Sequence, residues 1–596
     1  ERSFFGSWPG MLGLFELLHI FLLFLILGKL FLDERFRKNY LSAIFFVGVV
    51  LSFISLIQIV SPGFLKTGWE GFRVGSAFDN PDYFASVIIF PLFIGIFLFL
   101  KAEFCRRVYF LPGILLIAFG LFFTGARGAI VATGLGLAAI FFFYAVRDRS
   151  RFFPKSVARR ILIFILLIAI LGAGLWFFSA DAGGRFSPSA IKYGLLESSR
   201  LLTWQAGLRG FFTHPILGWG YQNFNAAYNS FYTGEMLKHS YSETWFDNAH
   251  NFWIDWLVWG GIVGFGLFVW LLCKSARRLW EIKNREQDFA LIFGALLAAY
   301  LLQGIFIFDT LISLFLFFVV LALVASFGDE PRAESRPKTG LCKMTAFLSL
   351  AFMLFIFNSA VFARIKDSGN ALSGRAAFLR GNAEDGKKYF AASFAGPFRE
   401  EILAEYAASF ISFANGTNSW ETVFSRQDAE EIFDLSARAA KNNPKDPRYA
   451  ILSGDLGIIL GEKDRGILLK SKNILENSLS EHKERQKIYQ QLVKINLLLS
   501  LPDEAEAAAR KAISFYGDVP EPHYYLSLAL MSQGKDGEGF AELEKAKKLG
   551  YSMEDASVIL LAATYWGNKG DLARVRDVLR SGTEYIVDAR LYAMLG

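Results

Sequence analysis

The chain has 596 residues, 53% of them hydrophobic and 63 of them phenylalanine, with a mean hydropathy of +0.35. That is too apolar for a water-soluble protein of ordinary composition, and three cysteines exclude a disulfide-built scaffold. Up to residue 363 there are 31 Lys and Arg against 22 Asp and Glu, and after it 31 against 33, so the basic excess belongs to the apolar half, where it sets topology and does not signal nucleic acid.

The first residue is Glu1 and not Met, as expected of a fragment or a processed product. Apolar runs of about 20 residues, enough to cross about 30 Å of hydrocarbon, fall at 10–32, 42–60, 83–100, 108–124, 128–146, 161–179, 251–273, 289–307, 310–327 and 344–363. The first is too long for a signal-peptide core and lacks a basic leader, so it reads as a helix. The connections 33–39, 101–107, 147–160, 274–288 and 328–343 hold 21 Lys and Arg in 59 residues, against 8 in 96 for 61–82, 125–127 and 180–250. The first set is expected to be cytoplasmic and the second outward. Cys105, Cys273 and Cys342 all fall on the basic side, where a reducing compartment keeps thiols free.

The 180–250 connection is rich in aromatic residues, among them Trp219, Tyr221, Tyr228, Tyr232 and Trp245. An interfacial aromatic belt explains them, and stacking against sugar rings is compatible with it. From about 364 onward the chain reads as helical hairpins. Units open near Tyr489, Tyr525 and Val558–Leu561, with Ala-rich second helices such as 504–512 and 541–546 and Gly-containing turns at Gln533–Asp536 and Lys569–Asp571. A period near 34 resembles tetratricopeptide repeats, which build binding surfaces. The expected architecture is all-α: a polytopic transmembrane bundle over 1–363, followed by an extracytoplasmic helical-repeat domain over 364–596.

Nucleotide-binding loops, His-Glu-x-x-His, Cys-x-x-Cys and Asp-x-Asp are missing from the sequence, and the six histidines show no metal-ligand spacing, so neither cofactor nor metal is expected. What stands out is a set of polar groups at the outward ends of the spans. Arg73 precedes the third span, with Asp79 or Asp82 as its candidate ion-pair partner. Arg127 lies in Thr124-Gly-Ala-Arg-Gly128. Arg200 opens an Arg-x3-Trp string followed by His214-Pro-x-x-Gly218-x-Gly220. Asp247-Asn-Ala-His250-Asn251 opens the seventh span. Arg supplies a permanent, planar charge suited to phosphate oxygens, although snorkelling at a helix end is its structural alternative. His250 is placed in the first helical turn, where the helix dipole favours a neutral imidazole able to act as a base; Asp247 would either oppose that or cap the helix. His214, before Pro215, reads as structural.

At these residues the chain resembles the O-antigen ligase and polymerase superfamily. His250-Asn251 is followed by nine residues and then by Gly261-Ile-Val-Gly264, the superfamily pattern, with Phe265 next, where ligases commonly carry a small or β-branched residue. The resemblance covers roughly 60–310. It implies a membrane glycosyltransferase of the bacterial cytoplasmic (inner) membrane that takes a glycan from a polyprenyl pyrophosphate on the outer face. In that reading His250 is catalytic, Arg127, Arg200 and Arg73 bind the donor pyrophosphate, and Asp247 and Asn251 support them. The acceptor is a glycan, a lipid-anchored core or a protein hydroxyl, and the repeats offer a place for a protein partner. Two readings of other classes are an inorganic-carbon-type transporter and a non-catalytic scaffold for the repeats. A transporter would place ionisable groups within its spans near the midplane, whereas Lys29 lies near a span end and Asp309 between two spans.

Overall fold

The computed structural model describes residues 2–6, 12–61, 64, 73–78, 80–147, 199–239, 245–327, 362, 364–394, 399–416, 420–422, 424–461, 464–551, 559, 563, 566–567 and 570–583. Every regular element among them is a helix. The expected span at 161–179, nearly all of that at 344–363, the basic residues from Arg149 to Arg160, Asp79 and Cys342 lie outside the described residues. Two compact units form, one of residues 1–227 with 246–353 and the other of 228–245 with 354–596.

In the first unit each of the eight remaining apolar runs is a helix: Leu14–Leu30, Glu34–Val60, Pro81–Lys101, Phe104–Phe123, Arg127–Arg147, Phe252–Ile282, Gln287–Gln303 and Leu311–Ser326. Four of them, Glu34–Val60, Pro81–Lys101, Arg127–Tyr144 and Phe252–Ile282, are long and apolar enough to cross a membrane. The helix at 81–101 is buried almost throughout and packs on those at 34–60, 104–123 and 287–303. Around it Phe46, Phe53, Phe142, Leu267 and Trp270 stand exposed, a distribution that only a lipid-facing surface tolerates at this scale. The chain is a multi-pass membrane protein.

Helix starts follow local chemistry. Asp33 accepts the Phe36 amide at 2.8 Å, Asn80 accepts the Asp82 amide at 2.8 Å ahead of Pro81, and Thr310 forms a reciprocal cap with Ser313. Such side chains satisfy amides that the first turn leaves orphaned.

The second unit is built from paired helices. Pro447–Gly461 pairs with Arg465–Ser478, Gln486–Leu498 with Pro502–Phe515, and Pro520–Ser532 with Asp536–Lys548. The first helix of each pair also packs on the first helix of the next, the nearest-neighbour stacking of a solenoid. Ala505, Ala509, Ala512 and Ala546 are fully buried, so the Ala-rich second helices owe their composition to close helix approach. The Gly534 turn has φ +76°, and the Lys535 amide reaches back to the Leu530 carbonyl at 3.0 Å, closing the helix end with the left-handed residue that glycine supplies cheaply.

Candidate active site

His250 sits at a conformational exception. Its φ is +51°, and it precedes the helix Phe252–Ile282 instead of lying in its first turn. Asn251 is the cap: its Oδ1 accepts the amides of Trp253 at 3.1 Å and Ile254 at 3.4 Å. The expected placement of His250 within the helix, and of Asp247 as a possible cap, is therefore corrected. Asn251 immediately precedes the apolar run and competes best for the first-turn amides, while Asp247 lies in a bend three residues before His250.

Three contacts hold the backbone around His250. The Ala249 amide donates to Asp255 Oδ1 at 2.8 Å, the Ala249 carbonyl accepts from Trp204 Nε1 at 2.8 Å, and the Phe252 amide donates to the carbonyls of Gly304 at 2.9 Å and Ile307 at 3.1 Å. Asp255 is fully buried. A left-handed His is uncommon and costs strain, and these contacts on either side impose it. The imidazole meets Phe246 and Phe308 edge to face, at centroid distances of 5.9 and 5.1 Å.

Trp204 also explains the Arg-x3-Trp spacing. Residues four apart share a helix face, so the indole that grips Ala249 carries Arg200 along the same side of the helix Ser199–Thr213. His250 titrates well below its ordinary range, at about 4, because burial disfavours the imidazolium and the Arg200 charge adds to that, with Asp82 pulling the other way. Burial and a nearby cation thus favour the neutral imidazole.

Arg127, the first residue of its helix, lies within electrostatic range of Arg200, Arg73 and Asp82. Four separate sequence contexts thus converge: the 73–82 stretch, the turn before Arg127, the Arg200 helix and the His250 bend. Arg73 is anchored on two sides. It pairs with Asp82 at 2.5 Å, and its Nε donates to the Thr124 carbonyl at 2.8 Å. That second bond fastens the 73–78 stretch onto the turn leading to Arg127. The neighbouring Ser76 is locked by Gln58 through bonds of 2.7 and 2.8 Å.

The Gly-rich strings play a different part. Trp219 and Gly220 amides donate to the carbonyls of Val258 and Trp259 at 2.8 and 3.0 Å, and the Ile262 and Val263 amides donate to Pro215 and Ile216 at 2.8 and 3.2 Å. The helix breaks here: Gly261 has φ +58°, and a Cβ on it would lie 2.4 Å from the Ile216 oxygen, while one on Gly218 would lie 2.4 Å from the Val258 oxygen. His214-Pro-x-x-Gly218-x-Gly220 and Gly261 form two halves of one backbone junction, which satisfies the polar groups that the break exposes. His214 is exposed, bonded to Thr213 at 3.0 Å and packed at a tilt against Trp219.

Trp204, Asp255, Asp82, Gly304 and Phe308 were not singled out as candidates from the sequence, beyond Asp82 as a partner for Arg73. Among the described residues no group of three His, Cys, Asp or Glu is arranged to hold a metal.

Residues 112–269 match the family model described as O-Antigen ligase. Over 264 residues the chain is 25% identical to the ComP-specific O-oligosaccharyltransferase of Acinetobacter baylyi, covering 43% of this chain and 45% of that protein; the match thus spans less than half of the relative's length. Two solved structures are also similar. A thermophilic TPR protein of Thermus thermophilus is 16% identical, with a TM-score of 0.26 over 33% of this chain and 98% of its own. Pseudomonas aeruginosa pilF is 14% identical, with a TM-score of 0.28 over 37% of this chain and 91% of its own. Residues 112–269, the part of the chain that resembles the O-antigen ligase family, contain Arg127, Arg200, His250 and the Gly261 junction.

Proposed function

We propose that this chain transfers a glycan from a polyprenyl-pyrophosphate donor to an acceptor hydroxyl at the outer face of the cytoplasmic membrane. The observation that carries the reading is the convergence of a half-buried, neutral His250 with the guanidiniums of Arg200, Arg127 and Arg73. Three guanidiniums beside the carboxylate of Asp82 suit a dianionic pyrophosphate diester that gains a further negative charge as it leaves, and a pre-set cationic site stabilises charge as it develops. Arg127 and Arg200 hold the pyrophosphate, while Arg73, shared with Asp82, orients the 73–78 stretch and contributes charge.

The acceptor oxygen attacks the anomeric carbon, the bond to the pyrophosphate oxygen breaks, and His250 takes the hydroxyl proton. The carrier departs as the polyprenyl pyrophosphate. No step draws on a metal, because fixed cations supply the charge. Asn251 supports the reaction by capping the helix next to His250, and Asp247 shapes the bend before it. The similarity to an O-oligosaccharyltransferase supports oligosaccharide transfer over transport or a purely scaffolding role. The low density of Lys and Arg in 61–82 and 180–250 supports an outward site, with the repeats of residues 364–596 on the same side and available to a protein partner.

The test is purified protein with lipid-linked glycan and candidate acceptors, the product identified by mass. His250→Ala is expected to bind donor and lose transfer by about 10²–10⁴-fold. Arg200→Lys and Arg127→Lys are each expected to weaken donor use by about 10- to 150-fold, the loss of a charge-assisted contact of roughly 1.5–3 kcal/mol. Full transfer by His250→Ala, or activity abolished by chelator, overturns the assignment.

A further inference from the structure

The loop 304–310 joins the helices Gln287–Gln303 and Leu311–Ser326, and it is fastened to three other parts of the first unit. Behind the His250 bend, the Phe252 amide donates to the carbonyls of Gly304 and Ile307, and a Cβ on Gly304 would overlap the Phe252 ring. On the helix Pro81–Lys101, Ser86 Oγ accepts from Gln303 Nε2 at 2.7 Å. Next to Arg127, a Cβ on Gly128 would lie 3.0 Å from the Phe306 ring. The loop's last turn is held by Asp309, which accepts from the Tyr300 hydroxyl and, at 3.3 Å, from Ser313. All of these residues belong to the same compact unit.

So held, the loop carries Phe308 to a place that borders both the candidate base and the cations. Its ring meets the His250 imidazole at 5.1 Å and the Tyr83 ring at 5.6 Å between centroids, edge to face in each case. Tyr83 directly follows Asp82, the carboxylate that pairs with Arg73 and lies within electrostatic range of Arg127 and His250. Both rings are half-buried. In glycan transfer the anomeric carbon must lie between an acceptor oxygen at the base and a pyrophosphate oxygen at the cations. A ring that touches the base and, through Tyr83, adjoins the cations therefore lies along the sugar that carries that carbon. One face of a pyranose is a set of C–H groups, and the negative face of an aromatic ring suits them.

We propose that Phe308, with Tyr83, forms the subsite for the first sugar of the donor, the ring whose anomeric carbon is attacked. The 304–310 loop is then the element that selects this sugar, while the arginines hold the carrier whatever it bears. Packing alone would ask only for an apolar side chain at 308, so leucine there separates a ring platform from a filler. The proposal rests on the glycan-transfer reading for the identity of the ligand.

The experiment measures binding of two kinds of probe to the full-chain protein in detergent: polyprenyl pyrophosphate alone, and the same carrier bearing N-acetylglucosamine or N-acetylgalactosamine. The wild type is expected to bind one sugar-bearing probe about 3- to 10-fold more tightly than the bare carrier, the range of an aromatic contact. Phe308→Leu and Tyr83→Leu are each expected to lose that gain and to bind the bare carrier within about twofold of the wild type. Phe308→Tyr is expected to keep the gain. Bare-carrier binding serves as the folding control, and the two leucine variants test the same difference independently. A wild type without any gain overturns the proposal, as do leucine variants that keep it. Equal weakening of both kinds of probe in both leucine variants also overturns it, because that marks a merely structural contact. Binding is read without turnover: a wild type that shows the gain, loses it in Phe308→Leu and transfers no sugar rejects the transfer reading and leaves the subsite standing.

Discussion

The indole of Trp204 donates to the carbonyl oxygen of Ala249 at 2.8 Å, and this bond ties the helix that carries Arg200 to the residue before His250. The pair is separated by 45 positions in sequence, yet it fixes the spacing between a candidate phosphate-binding cation and a candidate base. With the Ala249 amide committed to Asp255, both polar groups of Ala249 are satisfied inside the protein.

Trp204→Phe keeps the ring and removes the donor. A neutral hydrogen bond is worth about 1 kcal/mol net, with more lost when a buried carbonyl is left unsatisfied. Transfer is expected to fall about 5- to 30-fold in kcat, with donor binding kept within twofold, because Arg200 stays on its helix. An equal loss in both quantities would show that Trp204 acts on the donor directly.

The two glycines of Gly261-x-x-Gly264 are expected to respond in opposite ways. Gly261 has φ +58° and a carbonyl 2.4 Å from where a Cβ would sit, whereas nothing lies within 4 Å of a Cβ on Gly264. Gly261→Ala is expected to cost roughly 2–4 kcal/mol, from left-handed strain plus displacement of the 215–220 stretch. Gly264→Ala is expected to stay within about 0.5 kcal/mol. Thermal melting in detergent distinguishes them, and equal effects would refute the backbone junction.

The periodic features were legible in the sequence. Apolar runs gave the helices of the first unit, and the period near 34 gave the hairpins, as with the pair Gln486–Leu498 and Pro502–Phe515. The four polar contexts at the outward ends could also be read, because each carries an unusual residue beside a run that otherwise excludes charge. The position of His250 could not, since one residue decides whether it caps, precedes or enters a helix, and Asn251 took the cap. Nor could the clasp of Trp204, Asp255 and Gly304 around it: single side chain–backbone bonds leave no period. The Arg-x3-Trp spacing was the available signal for Trp204, through its shared helix face with Arg200.

Ser500 occupies a helix-end position that Gly534 fills in the next repeat. Its φ is +60°, and the Leu501 amide reaches back to the Asn496 carbonyl at 2.8 Å, the pattern made by Gly534 and Lys535. A left-handed non-glycine residue costs about 1–2 kcal/mol, and glycine returns part of that as unfolded-chain entropy. Ser500→Gly is expected to stabilise the helices at 486–515 by about 0.5–1 kcal/mol, read as slower amide exchange there in the full chain. Faster exchange would show that the serine side chain holds the turn.

The pH dependence of transfer tests the electrostatics of His250 directly. Its imidazole titrates at about 4, lowered first by burial and then by Arg200, against about 6.5 in the unfolded chain. For a base lowered on folding, the unfolded state binds more protons between these values, so its contribution to stability is complete above about 6.5 and is lost as pH falls toward 4. As a general base it stays deprotonated through the same window. With donor well below saturation, kcat/KM, which reports the free enzyme, is therefore expected to be flat from about pH 8 to about 5 and to halve near 4. In Arg200→Gln the midpoint is expected to rise, because a repelling cation is gone, yet to remain below about 6.5, because burial, the larger cause, is untouched. Initial rates with a folded-state control at each pH provide the measurement. A wild-type midpoint near the ordinary imidazole value would remove burial as the cause, and an unmoved midpoint in Arg200→Gln would separate Arg200 from the His250 site.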